Sequence, residues 1–450
     1  MTLPRALLIL TLISPGAWPA PVAGPAWAYA SRESVSLPDT AITMKFDVDG
    51  VKVILRRNPA NEVIAANLYL LGGARQLTTS NAGIEGLLLL ASERGTRRFS
   101  GASVRQRTAT LGSTISIEAN DDWSAIGLHA IRSTFDSTWA ILADRVMAPT
   151  LAPADVELSR EQMITGARQR MTQPDDAAEE IADSLLYQQH PYAIPATGTP
   201  SSIASITLAQ LRAYHVQQFV TSRMLLVVVG NVERAEVERL VRTTIATLPR
   251  GSYQWTPPPP PPVSGRALAI DNRPLPTNYV LGYVPGPAAT SPDYIALRVA
   301  TAVLSGRLYT EVRSRRNLSY DVEAQFVERA NAVGGLYVTT VDPNAVLRIM
   351  RYELSTLQTE RVDADNLKRL EQQFITEYFM KNETNADQAN VLARAEVFEG
   401  DYRAADRFMA NLQRVTPEDV QRVARQYLKD FRFAYIGDAA KLDRSLLSQF

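Results

Sequence analysis

One pattern occurs in each half of this 450-residue chain, and it constrains the fold more than any other feature. The first copy is a helix beginning at Thr207, an apolar strand at 224–229, a Gly-Asn turn and a further helix. The second copy begins at Thr416 and continues through a strand at 432–436 and a Gly-Asp turn to a last helix from Lys441. Threonine is a good N-cap residue for both first helices. An internal repeat of this kind predicts two similar halves.

The two halves are separated by six consecutive prolines, Pro257–Pro262. A proline run is extended and stiff, because each ring fixes its φ angle and removes a backbone donor. Such a run can dock into an aromatic groove on another protein, but a semi-rigid spacer is the better interpretation. We therefore predict one domain at 31–250, a linker at 251–265 and a second domain at 266–450.

Within each half, alternating apolar residues predict strands, and apolar residues three or four positions apart predict helices. The first half has strands at 51–55 and 64–71 and a hairpin around Asn120-Asp121, followed mainly by helices. The second half repeats this order, with separate helices expected at 293–304 and 307–316. We predict an α+β fold of two homologous α/β-sandwich halves, each a mostly antiparallel sheet packed with helices.

The composition argues against several classes of function. Lys+Arg and Asp+Glu both total 47, and no basic block stands out, which argues against nucleic acid as the main partner. The chain has no cysteine and therefore neither disulfides nor thiolate chemistry. Its three histidines do not lie at the spacing of metal ligands.

The N-terminal segment resembles a secretory signal. Arg5 precedes an apolar run at 6–13, and the small residues at 28–30 suit cleavage after Ala30. The run is much shorter than the roughly twenty residues that a spanning helix needs. We therefore expect residues 1–30 to be a signal peptide and the mature protein to be periplasmic or secreted, without a membrane span.

A glycine-bounded apolar stretch, Gly83–Thr96, predicts a short helix packed on all sides. Positions 86 and 90 are one helical turn apart, so two histidines there, with a glutamate at 89, would bind zinc and activate its water. None of those residues is present. The flanking pattern nevertheless resembles the insulinase, pitrilysin and mitochondrial-processing-peptidase family, whose inverted H-x-x-E-H motif lies between the same Gly-Ile/Leu start and Gly-Thr end.

This resemblance places Gly86 and Leu90 at the positions of the zinc histidines and Leu89 at the position of the glutamate base. The family's third ligand, a glutamate on a later helix, falls at Gly166 or at Thr165 beside it. Glycine and leucine side chains offer no lone pairs, so we expect no metal and no cofactor in this chain.

Glu161 is the nearest carboxylate to the position of the third ligand, and it comes about one turn too early. The helix at 84–92 is therefore interpreted, on its own residues, as a buried core helix.

A second stretch, 306–320, is rich in arginine. On residues alone, Arg316 is a helix-end cation and Tyr320 is an aromatic residue at the start of a strand. The family carries in this region an arginine and, four residues on, a tyrosine that hold the substrate carbonyl. The resemblance therefore implies this catalytic role for Arg316 and Tyr320, and both side chains can donate to a peptide oxygen.

The loop at 190–199 is similar to a family loop that contains His-Pro-Tyr and Gly-Thr. From the residues alone, we expect His190 to be a solvated loop histidine without a function.

The resemblance implies half of a clam-shell that is inactive alone. In two-chain members of the family, one subunit keeps the zinc motif and the other supplies the arginine and tyrosine. We therefore expect a non-zinc, substrate-binding subunit of an exported heterodimeric metallopeptidase, with zinc in a homologous partner and unfolded peptides as substrate.

Two other functions remain open. One is a non-catalytic peptide-binding or scaffold protein of the cell envelope. The other is a lone hydrolase that uses Asp121-Asp122 or Glu179-Glu180, although adjacent carboxylates at such positions are usually solvated.

Overall fold

The computed structural model describes residues 42–450, which form two sheets and their covering helices. The predicted signal peptide lies outside the described residues. The N-terminal sheet contains β1 (Ile42–Val48), β2 (Val51–Arg57), β3 (Val63–Leu71), β4 (Thr114–Ala119), β5 (Trp123–Ile131) and β6 (Met224–Gly230). The C-terminal sheet contains β7 (Ala267–Asn272), β8 (Asn278–Ala288), β9 (Val322–Val327), β10 (Asn331–Thr340) and β11 (Arg432–Gly437).

The helices follow the same order in both halves. Those of the N-terminal half are α1 (Ile84–Ser92), α2 (Gly101–Thr110), α3 (Phe135–Met147), α4 (Pro153–Thr172), α5 (Pro174–Leu186), α6 (Pro200–Ser205), α7 (Leu208–Gln218) and α8 (Arg234–Arg242). Those of the C-terminal half are α9 (Asp293–Leu308), α10 (Pro343–Thr359), α11 (Ala364–Lys381), α12 (Asn385–Arg394), α13 (Ala404–Leu412), α14 (Pro417–Tyr427) and α15 (Arg444–Leu447). None of the helices described is long and apolar enough to cross a membrane.

The strand orders confirm the predicted duplication. The N-terminal sheet runs β1-β2-β6-β3-β5-β4 and the C-terminal sheet runs β7-β11-β8-β10-β9. In each sheet one parallel pair, β2 with β6 or β7 with β11, is followed by antiparallel neighbours. The N-terminal sheet differs by the added edge strand β1, which pairs with β2. The α+β fold of two matched halves is therefore correct.

The threonine caps at the start of the repeat explain why α7 and α14 begin where they do. The Thr207 hydroxyl accepts a hydrogen bond from the backbone N–H of Gln210, and the Thr416 hydroxyl accepts one from the N–H of Asp419. The side chains of Gln210 and Asp419 accept bonds from the N–H groups of the caps in return. Two otherwise unpaired N–H groups are thus satisfied at each helix start.

The two halves exchange helices. The apolar face of α5 packs on β8 and β11 of the C-terminal sheet through Ala177, Ala178, Ala182 and Leu186. The corresponding helix α12 packs on β3 and β6 of the N-terminal sheet through Ala389, Leu392 and Ala393. Because these side chains are mostly alanine, each helix can approach the sheet of the opposite half closely. Each sheet is therefore covered on one face by helices of its own half and on the other by a helix of the opposite half.

One boundary was predicted wrongly. The segments 293–304 and 307–316 are not two helices, because α9 runs without a break through Gly306 and continues as a π-helical turn at Tyr309–Ser314. Leu304, Leu308 and Val312 are fully buried and maintain one apolar stripe along this length. A side chain at Gly306 would meet nothing within 4 Å, so the glycine marks no turn or close approach.

The linker residues lie between the two halves and bond to both. The Asn331 side-chain amide donates to the carbonyl oxygens of Pro258 and Pro259, at 3.0 and 3.1 Å. On the other side, the Arg75 guanidinium donates to the Thr256 carbonyl oxygen at 2.6 Å. The backbone at 257–262 has no regular secondary structure. The domain boundaries proposed around this stretch stay a prediction.

The expectation that His190 is solvated is wrong. Its side chain is buried, with Nε2 donating to the Pro259 carbonyl oxygen at 2.9 Å and Nδ1 accepting from the backbone N–H of Tyr192 at 3.1 Å. Burial lowers the pKa of His190 below its usual value. This histidine therefore attaches the linker to the N-terminal half in its neutral form.

A polar cluster also joins the halves. Arg329 lies in the turn between β9 and β10. Both of its terminal nitrogens donate hydrogen bonds to the Asp183 carboxylate of α5, at 3.0 and 2.8 Å. Its Nε lies 3.5 Å from Asp121. Beside it, the Tyr192 hydroxyl donates to Asp122, which is 3% exposed. Asp121 and Asp122 thus belong to a buried network, so the expectation that they are solvated is wrong for this pair.

A buried ion pair between Glu85 and Arg223 holds α1 in place. Glu85 and Arg223 are each 1% exposed, and a carboxylate oxygen of Glu85 lies 2.9 Å from Nη2 of Arg223. The Ser124 hydroxyl also donates to Glu85, and Nε of Arg223 donates to the Leu71 carbonyl oxygen. Burial lowers the pKa of Arg223, but the Glu85 carboxylate together with Tyr214 and Tyr253 raises it overall. The pair connects α1 to the segment that precedes β6.

We expect Glu85→Gln to lower the free energy of unfolding by about 3 kcal/mol, because the Arg223 charge would stay buried without its counterion. Urea unfolding followed by circular dichroism measures this change. Glu161→Gln, at an exposed carboxylate on α4, is the matched control and should leave the midpoint unchanged. Equal midpoints for the two variants would contradict the structural role of the pair.

A second prediction concerns pH. Burial raises the pKa of Asp122 from 3.8 to about 6, so the folded protein binds this proton more tightly than the unfolded chain does. The contribution of Asp122 to stability is therefore greatest below about pH 4 and decreases as the pH rises to about 6. Asp122→Asn keeps an oxygen to accept the Tyr192 hydroxyl and does not titrate.

The free energy of unfolding of this variant, minus that of the wild type, should therefore increase between about pH 4 and pH 6 and stay constant above. Urea unfolding of both proteins across this range measures the difference. A difference that does not change with pH would contradict the prediction.

Candidate functional site

The helix α1 presents the positions of the zinc motif on one face. Gly86 and Leu90 are partly exposed neighbours on that face, whereas Leu89 is 1% exposed and points into the core. A Cβ atom on Gly86 would lie 3.5 Å from the Met163 methyl group and 3.9 Å from the Ala119 side chain. The surroundings are therefore apolar, and none of the three positions provides a group that could bind a metal.

The position of the third ligand lies on α4, which packs against α1. There the Arg94 side chain donates to the Ser159 hydroxyl at 2.9 Å and to the Gln162 amide oxygen at 3.3 Å. Nothing lies within 4 Å of a Cβ built on Gly166, and Glu161 is exposed to solvent. Across residues 42–450, no group of three or more His, Cys, Asp or Glu side chains could hold a metal ion. The side chains present at these positions do not fit a zinc ion.

The second candidate region begins at the π-helical turn after α9. π-Helical turns are rare in proteins, and those that occur are often found at functional sites. Val312 is fully buried and anchors the turn, and Asn317 adopts a left-handed conformation with φ of 51°. The chain then reverses into β9. The Ser319 hydroxyl donates to the Thr339 carbonyl oxygen at 2.6 Å and fixes the backbone beside Tyr320.

Tyr320 lies on this ordered backbone with 80% of its surface exposed. The Arg313 guanidinium stacks on its ring, with the guanidinium carbon 4.1 Å from the ring centroid and 5.0 Å from that of Tyr309. Cation–π stacking of this kind fixes both side chains while leaving the phenolic hydroxyl and the guanidinium N–H groups free to donate. Arg313 was not predicted from the sequence.

Arg316 has a different environment. One terminal nitrogen donates to the Glu311 carboxylate and, at 2.8 Å, to the Glu311 carbonyl oxygen. The Glu311 carboxylate also accepts a hydrogen bond from Arg315. The bond from Arg316, ahead of the charge of Arg315, lowers the pKa of Glu311. Arg316 is thus ion-paired on the surface, and its predicted role at a substrate stays a prediction.

The two candidate regions lie in different halves. In residues 42–450 no hydrogen bond or ion pair joins α1 or α4 to the stretch 306–320. The chain therefore does not assemble the two regions into one site through direct contacts of its own.

The adjacent carboxylates do not form a second candidate site. Asp121 and Asp122 are held by Arg329 and the Tyr192 hydroxyl, and burial raises the pKa of Asp121 to about 7. Glu179 and Glu180 are exposed on α5. The first pair is part of the contact between the halves, and the side chains of the second make no hydrogen bond or ion pair within residues 42–450.

Comparisons with known proteins agree with the resemblance carried by Gly83–Thr96. Residues 205–374 match the family model described as the peptidase M16 inactive domain. An uncharacterized zinc protease of Mycobacterium leprae is 24% identical over 402 residues, which cover 87% of this chain and 90% of that protein.

Two mitochondrial relatives match over a shorter length. The mitochondrial-processing peptidase subunit beta of Blastocladiella emersonii is 22% identical over 60% of this chain and 57% of its own length. Cytochrome b-c1 complex subunit 1 of Mus musculus is 20% identical over 60% of this chain and 56% of its own length.

Solved structures share the fold. The peptidase M16 inactive domain from Pseudomonas fluorescens superposes with a TM-score of 0.80 at 20% identity, covering 88% of this chain and 98% of that one. A protease from Helicobacter pylori superposes with a TM-score of 0.81 at 16% identity, covering 88% and 99% of the two chains. With its duplicated fold and the glycine-bounded helix α1, this chain is similar to the insulinase, pitrilysin and mitochondrial-processing-peptidase family, peptidase family M16, and has Gly86, Leu89 and Leu90 at the positions of the family's zinc motif.

Proposed function

We propose that this protein is the non-zinc, substrate-binding subunit of an exported heterodimeric zinc metallopeptidase that cleaves unfolded peptides. One observation carries the proposal. The chain has an apolar face where the family binds zinc, yet it has an ordered, exposed Arg313–Tyr320 pair whose donors face solvent. A large aromatic residue that is 80% exposed on a fixed backbone contributes little to stability, which favours a role in binding.

The chemistry of this pair fits the role that the family resemblance implies for Arg316 and Tyr320. A partner with the intact H-x-x-E-H motif would supply the metal-activated water. In this chain, Tyr320 would donate its hydroxyl to the carbonyl oxygen of the scissile bond, and the stacked Arg313 would stabilise the negative charge that develops there. The apolar stacking surface keeps both donors oriented before the substrate arrives, which lowers the cost of ordering them.

The peptide would bind at an edge strand. β9 begins two residues after Tyr320 and pairs on one side with β10, so it is the last strand of the C-terminal sheet. Unpaired backbone groups on such an edge can accept an extended peptide as a further strand. A peptide bound along β9 would lead directly to the Tyr320 hydroxyl.

The alternative function is a non-catalytic peptide-binding or scaffold protein of the cell envelope. The similarity to a subunit of a cytochrome b-c1 complex favours it, because that protein is named for its place in an assembly.

A direct assay distinguishes the two functions. A long unstructured peptide is incubated with this chain alone, and then with this chain and the product of a neighbouring gene that carries H-x-x-E-H. Cleavage only in the mixture, abolished by a chelator, supports the peptidase subunit. Absence of cleavage in both supports the scaffold, and chelator-sensitive cleavage by the chain alone would contradict the loss of the zinc site.

Substitutions in this chain test the roles of its side chains. We expect Tyr320→Phe to lower kcat/KM of the mixture roughly a hundredfold, because one donor to the developing oxyanion is lost. The ring stays, so the stacking on Arg313 and the melting temperature should not change. Arg348→Ala, at an exposed arginine on α10, is the control and should leave the rate unchanged. A Tyr320→Phe mixture that cleaves at the normal rate would contradict the assignment.

The two arginines are compared in the same assay. Because Arg313 contacts Tyr320 and Arg316 is paired with Glu311, we expect the larger loss of rate, roughly a hundredfold, for Arg313→Ala. Arg316→Ala tests the prediction made from the sequence: a loss as large as that of Arg313→Ala would support a direct role, and the normal rate would contradict it.

A further inference from the structure

A cavity of about 850 Å³ lies in the C-terminal half. Its walls are the first turns of α9, the last turns of α11, and α12 and α13 with the chain that follows them. This volume is within the range of sites that bind small molecules and short peptides. Its residues belong neither to the zinc-motif face of α1 nor to the Arg313–Tyr320 segment.

The cavity lies between two helices, α9 and α11, that have counterparts in the N-terminal half. By element order, α9 corresponds to α1, because each is the first α-helix after an equivalent strand, β8 in one half and β3 in the other. In the same way α11 corresponds to α4, the second helix after the hairpin. The space between α9 and α11 is therefore the counterpart of the space between α1 and α4, where the resemblance places the family's zinc site.

The packing of α11 explains why this space is open. Only Leu367 of its 18 residues is buried, and Phe379 and Met380 near its end are 64% and 69% exposed. Phe374 and Tyr378 line the cavity from the same helix. In the N-terminal half the equivalent helix α4 closes on α1 instead.

Arg298 is the half-buried cation of the cavity wall that has no counterion, whereas Lys381 and Arg414, which also make no ion pair within the described residues, are exposed to solvent. Within the described residues, the Arg298 guanidinium makes no ion pair and no side-chain hydrogen bond, although α9 holds it half-buried in the wall. Three phenyl rings surround it, with centroids 5.1 Å (Phe408), 5.8 Å (Phe374) and 5.9 Å (Phe326) from the guanidinium carbon. The rings fix the guanidinium plane and leave its N–H groups to an external acceptor.

The carboxylates in the cavity wall do not accept a hydrogen bond from Arg298. Of the carboxylates in the wall, Glu328 is paired with Arg394, and Asp419 is paired with Arg422. Glu377, Asp387 and Glu399 also line the cavity without an ion pair to Arg298. The Asn411 side chain, also in the wall, makes no hydrogen bond within the described residues. The cavity therefore combines a half-buried planar cation without an ion pair, an aromatic surface and an amide that makes no hydrogen bond within residues 42–450.

We infer that this cavity binds the carboxyl-terminal end of a short peptide. The terminal carboxylate would accept two hydrogen bonds from Arg298, and the last side chain, an apolar or aromatic one, would lie among Phe374, Tyr378 and Phe408. The Asn411 amide would bond to the peptide backbone. A carboxylate is the planar anion that a guanidinium binds in a bidentate manner, which favours it over a cationic or neutral ligand.

This site is separate from the proposed peptidase function. Arg298 and Arg313 are fifteen residues apart on α9 and its continuation, or about 22 Å at the rise of a helix. Binding in the cavity needs neither a partner chain nor a metal.

Isothermal titration of the full chain tests the inference. The probes are N-acetyl-Ala-Ala-Ala-Phe with a free carboxylate, the same peptide with a C-terminal amide, and dodecanoate as an apolar carboxylate that is not a peptide. We expect saturable binding of the free acid and an affinity at least about tenfold lower for the amide and for dodecanoate. Dodecanoate binding as tight as the free acid would assign the cavity to fatty acids and overturn the inference, as would equal binding of acid and amide or no binding of the acid.

The variants locate the binding. Arg298→Gln should weaken binding of the free acid at least about tenfold, and Arg298→Lys, which keeps the charge but not the fork of donors, should also weaken it. Arg348→Gln, on the exposed face of α10, should not change the affinity. Since Arg298 makes no hydrogen bond or ion pair within residues 42–450, all variants should fold, and their melting temperatures check this. Unchanged affinity in Arg298→Gln would overturn the inference.

Discussion

The exchange of α5 and α12 between the halves is the contact on which the rest of this structure depends. A sheet such as the N-terminal one has strands that are buried on both faces, and every residue of β6 is buried. The helices of one half cover only one face, so the other would be exposed without the incoming helix. Burial of apolar surface on both faces is thus possible only when the two halves are packed together. This explains why residues 42–450 form one compact unit.

The exchange also determines what the linker does. A proline run between two independent domains would act as a spacer, but here the halves are already fixed by α5 and α12. The run lies over their junction, where His190 and Asn331 bond to its carbonyl oxygens. The Arg329–Asp183 pair adds a polar contact between a turn of one half and α5 of the other. A movement of the halves against each other would have to break these buried polar contacts as well as the apolar ones.

The sequence was sufficient for features that depend on local pattern. The Thr207 and Thr416 caps and the apolar runs of β6 and β11 predicted the repeat and hence the duplicated fold. Features that depend on distant residues were not predictable. His190 and Asp122 are ordinary loop and turn residues by sequence, and their buried hydrogen-bond partners, the Pro259 carbonyl oxygen and the Tyr192 hydroxyl, are distant in the chain. The alanine face of α5 indicates close packing but does not specify which sheet it meets.

The candidate site shows the same limit. The positions of Gly86, Leu90 and Gly166 could be read from the motif, because helical spacing relates them to zinc ligands. Arg313 could not, because the π-helical turn at 309–314 departs from the period of 3.6 on which face arguments rest. In that turn Arg313, rather than Arg316, reaches Tyr320. A residue pair that depends on an irregular turn is visible only in three dimensions.

The duplication places the same pair of helices in two different states of packing. Between α1 and α4, the Met163 methyl group lies close to Gly86 and provides an apolar contact. Between α9 and α11 the helices stay apart, and the space contains a cation with no protein acceptor. A buried or half-buried charge without a partner costs free energy, and a chain under no other constraint would replace it with an apolar residue. The position of Arg298 in an aromatic wall is therefore explained more simply by a ligand than by the stability of the fold.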